Sequence, residues 1–139
     1  MSTEENKTNI RRVYEEALNK GNMAVIEELY SPDHVLHTSS ENIHGPEGFK
    51  QFIMMYRSAF PDLQFTVEDL IAEEDKVVSH YTASGTHRGN FQGIAPTNKH
   101  VTTTGIAISR FEHGKVVESW LIFNALSMLQ QLGVIPTIG

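Results

Sequence analysis

The side chains best suited to chemistry in this chain are its histidines and one tyrosine on a predicted helix. There are seven histidines, and an imidazole titrates near neutral pH, so each can carry a proton or ligate a metal. Their spacing gives no ligand pattern. His34 and His37 lie three apart on a predicted strand and point to opposite faces, and His37, His80 and His87 converge only if the fold brings them together. No metal is expected. His37 is the candidate for acid/base work; its alternative is a strand-end histidine bonded to a backbone carbonyl. His87 sits in Gly85-Thr86-His87-Arg88-Gly89, where the glycines indicate a constrained backbone. It either faces a pocket mouth or pins the loop that covers the sheet. Tyr14 shares a helical face with Ile10, Val13, Ala17 and Leu18. A buried tyrosine finds a partner for its hydroxyl, so its ring packs in the core while the hydroxyl turns to a pocket as a candidate oxyanion donor.

The elements that position these groups follow from periodicity. Ser2-x-x-Glu5 reads as a capping box opening a helix that ends at Lys20-Gly21. Asn22 opens a second helix through Ile26, Leu29 and Tyr30. His34 to Thr38 reads as a short strand. Gly45-Pro46-Glu47 starts a third helix, with Phe49, Phe52, Ile53, Tyr56 and Phe60 as an aromatic stripe and Met54-Met55 beside it, stopped by Pro61-Asp62. Beyond it the period changes to two. Leu63, Phe65 and Val67 alternate with polar residues, Val77 to Ser84 forms the next strand, and two long strands follow from His100 to Phe111 and from Val116. A short helix from Ala125 to Leu132 closes the pattern, with Asn124 and Gly133 as its caps. Helices first and antiparallel strands afterwards define an α+β chain with helices on one face of a bent sheet.

The turn between the two long strands decides which side chains share a face. A three-residue loop, Glu112-His113-Gly114 with Gly114 left-handed, puts Ser119, Leu121 and Phe123 on the face of Ala107, and Glu118 and Trp120 on the other. A two-residue turn exchanges the two sets, because the side-chain period is two.

Bulk properties narrow the function. At 139 residues and 40% hydrophobic, the chain is expected to be one domain, residues 1–139, with its own core. A net charge of −6 with scattered basic residues argues against nucleic acid. No apolar run approaches the length of a membrane helix. Without cysteine there is no disulfide, thiolate metal site or cysteine nucleophile. The acidic Ser2-Thr3-Glu4-Glu5 start is unlike a targeting signal, and a soluble cytoplasmic protein is expected.

Four blocks carry a resemblance that spans nearly the whole chain: Phe60-Pro61-Asp62-Leu63, Gly85-Thr86-His87 through Gly93-Ile94-Ala95-Pro96-Thr97, Gly114-Lys115-Val116-Val117-Glu118-x-Trp120, and Leu129-x-Gln131-Leu132-Gly133. Together with the order of elements they resemble the SnoaL-like polyketide cyclases of the nuclear transport factor 2-like superfamily. The resemblance implies a cone-shaped, mostly antiparallel sheet wrapped around the N-terminal helix, an internal pocket, and homodimers or higher oligomers. It implies ring closure by intramolecular aldol condensation without metal or organic cofactor. The family's key aspartate falls at Leu121 and its assisting histidine at about Ala107, and leucine can neither donate nor accept a proton. Compared with the related ketosteroid isomerases, Tyr14 matches the oxyanion-hole tyrosine, whereas their base falls near His37-Thr38 and their protonated aspartate near Ala107. The expected site is therefore His37, Tyr14 and His87 for chemistry, with Tyr56, Phe60, Ala107, Ser119, Leu121 and Phe123 lining the pocket. Glu118 and Trp120 are expected to be structural or interfacial. The expected partner is a small hydrophobic carbonyl compound. The alternatives are a non-catalytic carrier of an apolar molecule, or a dimeric scaffold.

Overall fold

A computed structural model describes residues 2–136. The chain begins with helix α1 (Thr3–Arg12), which continues without a break as a π-helical segment, Val13–Leu18. Ser2 caps α1 by accepting the Glu5 amide at 3.0 Å. The π-helical turn, which periodicity does not reveal, holds Tyr14 and ends at Asn19. There the side-chain amide pairs with the Phe65 backbone in both directions, at 2.6 and 3.0 Å. Helix α2 (Ala24–Leu29) runs directly into strand β1 (Tyr30–His37), and a short strand β2 (Asn42–His44) precedes helix α3 (Gly45–Ala59). Strands β3 (Gln64–Glu73), β4 (Lys76–Thr86), β5 (His100–Glu112) and β6 (Lys115–Phe123) follow, then helix α4 (Ala125–Leu132). Asn124 caps α4 by accepting the Ser127 amide at 3.0 Å, and Gly133 ends it in the left-handed conformation at φ 81°.

One mixed sheet contains all six strands in the order β2-β1-β6-β5-β4-β3. Every neighbouring pair is antiparallel except β1 and β6, which run parallel because α3 and four strands separate them in sequence. Irregularities between Tyr30 and Val35, between Val67 and Asp69, and beside Arg110 break the ladders. Bulges of this kind bend a strand and raise its twist, and the sheet curves around α1 without closing into a barrel. Its concave face meets the helices. Along β4 the residues Val77, Ser79, Tyr81, Ala83 and Gly85 are buried while those between them are not.

The hairpin between β5 and β6 differs from the expected loop. Glu112 pairs with Lys115, so the turn has two residues, His113 and Gly114, both at positive φ (52° and 78°). Such a turn matches the right-handed twist of the flanking strands. By itself it would have exchanged the two faces. Instead an extra residue, Val117, bulges between the Phe111–Val116 and Arg110–Glu118 pairs and restores the parity. Ala107 therefore opposes Leu121, Ser109 opposes Ser119 and Gly105 opposes Phe123.

Candidate active site: an apolar cavity with two hydroxyl stations

Between the concave face and the helices lies a cavity of about 130 Å³. The first helix contributes Ile10, Val13, Tyr14 and Leu18, and α3 contributes Phe49, Phe52, Ile53 and Tyr56. Three rows of the sheet form the floor: Ser109–Ser119–Leu36, Ser79–Ala107–Leu121 and Tyr81–Gly105–Phe123. Phe60 and Met128 also line it. Gly105 is required here by close approach, since an added Cβ would lie 2.8 Å from the Tyr81 ring carbon Cε2 and closer still to its hydroxyl.

The lining carries no carboxylate, imidazole or cation. Its only titratable groups are tyrosines. Burial pushes Tyr14 and Tyr56 up to about 12 and raises Tyr30 and Tyr81 as well, so all four stay neutral and protonated at ordinary pH. The Tyr14 hydroxyl and Ser79 Oγ lie 2.7 Å apart and either can donate; the Ala107 carbonyl, 3.4 Å from Ser79 Oγ, is the alternative acceptor for the serine proton. Phe65 and Tyr81, with ring centroids 5.8 and 5.6 Å away, hold the Tyr14 ring in place.

The second polar station is the expected lining residue Ser119, backed by a histidine that sequence reasoning missed. Behind Ser119 lies His34, 1% exposed, with Nε2 2.9 Å from Ser119 Oγ. Its ring stands edge-on to Tyr30 at 4.7 Å and near Phe49 at 5.9 Å. Burial, reinforced by the nearby His37, pushes its pKa down to about 4, so the ring is neutral at pH 7. The available signal was parity: His34 shares the face of Leu36, the apolar residue that pairs with Ser119.

His37 and His34 do lie on opposite faces, and His37 is the one facing outward. It pairs with Trp120, stacks on it at 5.5 Å, and bonds Glu118 at 2.7 Å and Asn42 at 2.9 Å. It is not among the cavity's lining residues. The acid/base expectation rested on its residue type and position in the chain, whereas the fold turns its side chain away because Leu36 takes the inward place. Glu118 lies between His37 and Arg110, whose guanidinium is 3.3 Å away, and it shares the outer face with Trp120.

His87 is completely buried and holds the loop between β4 and β5. Its Nδ1 accepts from the Thr97 amide at 3.1 Å and from the Thr97 hydroxyl at 3.0 Å, while its backbone bonds Lys99 and Asn98. It also does not line the cavity. Tyr14, Tyr56, Phe60, Ala107, Ser119, Leu121 and Phe123 all do.

A curved α+β sheet folded over an N-terminal helix, with a ligand-sized hollow between them, defines a pocket protein of the nuclear transport factor 2-like fold. Within that class the chain belongs to the SnoaL-like polyketide cyclase family, which matches residues 8–132. Its structure is similar to AclR, a hydroxylase candidate from Streptomyces galilaeus (32% identity, 99% of this chain and 87% of that one, TM-score 0.88). It is also similar to IdmH, a polyketide cyclase candidate from Streptomyces antibioticus (32% identity, 91% and 96%, TM-score 0.79). A SnoaL-like protein from Jannaschia sp. CCS1 shares the fold at 23% identity (96% and 95%, TM-score 0.89). No curated protein sequence matches the chain. Among the described residues, no helix is long and apolar enough to cross a membrane.

Proposed function

We propose that this protein binds a small hydrophobic carbonyl compound in its cavity and promotes a cyclase- or isomerase-type reaction by stabilising the enolate oxygen. The observation that carries this reading is the Tyr14 hydroxyl, 2.7 Å from Ser79 in a largely apolar cavity: when Ser79 donates to it, the Tyr14 proton is free for a ligand oxygen. A hydrogen bond from such a fixed donor strengthens as negative charge develops on the ligand oxygen in a water-poor site. Leu121 and Ala107 leave the floor without a side-chain base, so the α-proton goes to hydroxide or a buffer base from solvent, and the protein contributes by lowering the energy of the enolate. The size of the cavity limits the ligand. An engineered apolar cavity of about 150 Å³ takes up benzene, so about 130 Å³ accepts one six-membered ring.

Exchange of the α-protons of cyclohexanone in D₂O, followed by NMR, tests this reading. Acceleration by the protein that Tyr14→Phe removes supports it. Binding without acceleration favours the second reading, a non-catalytic carrier, to which the uncharged lining also points.

We also propose that the outer face of the sheet packs against a second copy. Ile106 and Ile122 there are 50% and 65% exposed and pair across β5 and β6, and Trp120 follows on the same face opposite Ile108. Apolar area of this kind is removed from water by association.

A further inference from the structure

We propose that Ser119, oriented by the buried His34, is a second hydrogen-bond donor of the cavity and grips an oxygen of the ligand separate from the one at Tyr14. This rests on the reading of the cavity as the binding site of a carbonyl compound.

The two nitrogens of His34 have different surroundings. Nε2 is 2.9 Å from Ser119 Oγ, and Nδ1 is buried without a hydrogen-bond partner. With the proton on Nδ1 a buried N–H would lack a partner, whereas a proton on Nε2 makes a hydrogen bond to Ser119 Oγ and leaves only a lone pair unused, the smaller cost. The proton therefore sits on Nε2, which donates to Ser119 Oγ. The serine's own proton is then uncommitted, because Ser119 makes no other side-chain hydrogen bond among the described residues. The outlet left for it is the cavity that Ser119 lines. A hydroxyl that accepts from one neighbour is polarised and becomes a better donor to the next.

The obvious rival is a serine nucleophile with His34 as its base. Catalytic bases work best with a pKa near the ambient pH. At about 4, three units below neutral, His34 would hold a proton some 10³-fold less readily than a base matched to pH 7. The pair is suited to donating a hydrogen bond and poorly suited to removing a proton. His34 is thus a positioning residue and Ser119 a ligand contact.

The two stations lie apart on the floor. Ser79, the partner of Tyr14, is on β4 and Ser119 on β6, with β5 between them and an offset of two residues along the strands. Strand spacing of about 4.8 Å and a rise of about 3.3 Å per residue separate their backbones by about 12 Å. A ligand that satisfies both carries two oxygens on opposite sides of an apolar body, such as a ring ketone bearing a second carbonyl or hydroxyl.

The test compares cyclohexanone with cyclohexane-1,4-dione, similar in size and different in one carbonyl oxygen, by NMR titration of the whole chain, with benzene as the control for filling of the cavity. Ser119→Ala is expected to lower the ratio of dione to cyclohexanone affinity about fivefold, the effect of one net hydrogen bond. His34→Leu is expected to do the same, while His34→Gln, which keeps an N–H donor, recovers part of the ratio. The second carbonyl stretch of the bound dione, shifted to lower frequency in the wild type, should move back in Ser119→Ala, a signature that loss of packing would not produce. An unchanged ratio and stretch in Ser119→Ala, with benzene still bound, overturns the second donor and leaves the cavity reading standing. If no form takes up benzene, the cavity reading fails and the donor with it.

Discussion

Replacing Ala107 with phenylalanine is the most direct challenge to the cavity. Ala107 sits in the middle row of the floor between Ser79 and Leu121, with its methyl facing the helices. A phenyl ring built there enters a space of about 130 Å³, comparable to one that benzene fills. Empty apolar volume costs about 24 cal/mol per Å³, so filling it is worth about 3 kcal/mol at most. Forcing new methylenes into a packed region costs about 1–3 kcal/mol in displaced neighbours. The net change therefore lies between zero and a gain of about 2 kcal/mol, while room for a ligand disappears. Urea denaturation reads the first quantity and benzene titration the second. The expected result is an unfolding midpoint that holds or rises, with benzene affinity reduced at least about tenfold, a loss of roughly 1.4 kcal/mol or more. A variant that binds benzene as tightly as the wild type would refute the reasoning, because the ligand would then sit elsewhere. Destabilisation well beyond 3 kcal/mol would show that the space is already occupied.

Gly105→Ala places a methyl against the Tyr81 ring and hydroxyl; a cost of about 1–3 kcal/mol is expected, and an unchanged urea midpoint would show that the ring is free to retreat. Glu118 holds the His37 pKa above its usual 6.5, with Asn42 adding to the effect, and His37 in turn lowers the Glu118 carboxyl. The stabilisation due to His37 is full below pH 6.5 and is lost as pH rises through its raised pKa; that due to Glu118 is present above about 4.5 and is lost as pH falls through its lowered pKa. Glu118→Gln should accordingly bring the NMR titration midpoint of His37 down, and His37→Ala should leave benzene affinity unchanged, since that imidazole faces outward. Loss of benzene binding in His37→Ala would contradict the placement. Ile122→Glu puts a charge in the exposed apolar patch; a fall in solution mass from dimer to monomer by light scattering is expected, and an unchanged oligomer would move the interface to another surface.

Much of this architecture is legible in the chain itself. The change from helical to two-residue periodicity after Pro61, the caps at Ser2, Asn124 and Gly133, and the four motif blocks suffice for an α+β fold, because each is a local property of backbone and side chain. The same periodicity groups Ser119, Leu121 and Phe123 on one face of β6. Period-two alternation, however, says only which residues of a strand share a face; it does not say which face points inward. That choice depended on tertiary pairing. The parallel alignment of β1 with β6 set Leu36 against Ser119, carried His34 into the core and left His37 outside. On β6, the two-residue turn and the Val117 bulge cancelled each other's effect on parity, a compensation between two local irregularities that neither signals alone. The His34–Ser119 pair joins positions 85 residues apart, and the lowered basicity of its imidazole comes from burial, which exists only once helices and sheet have closed over it.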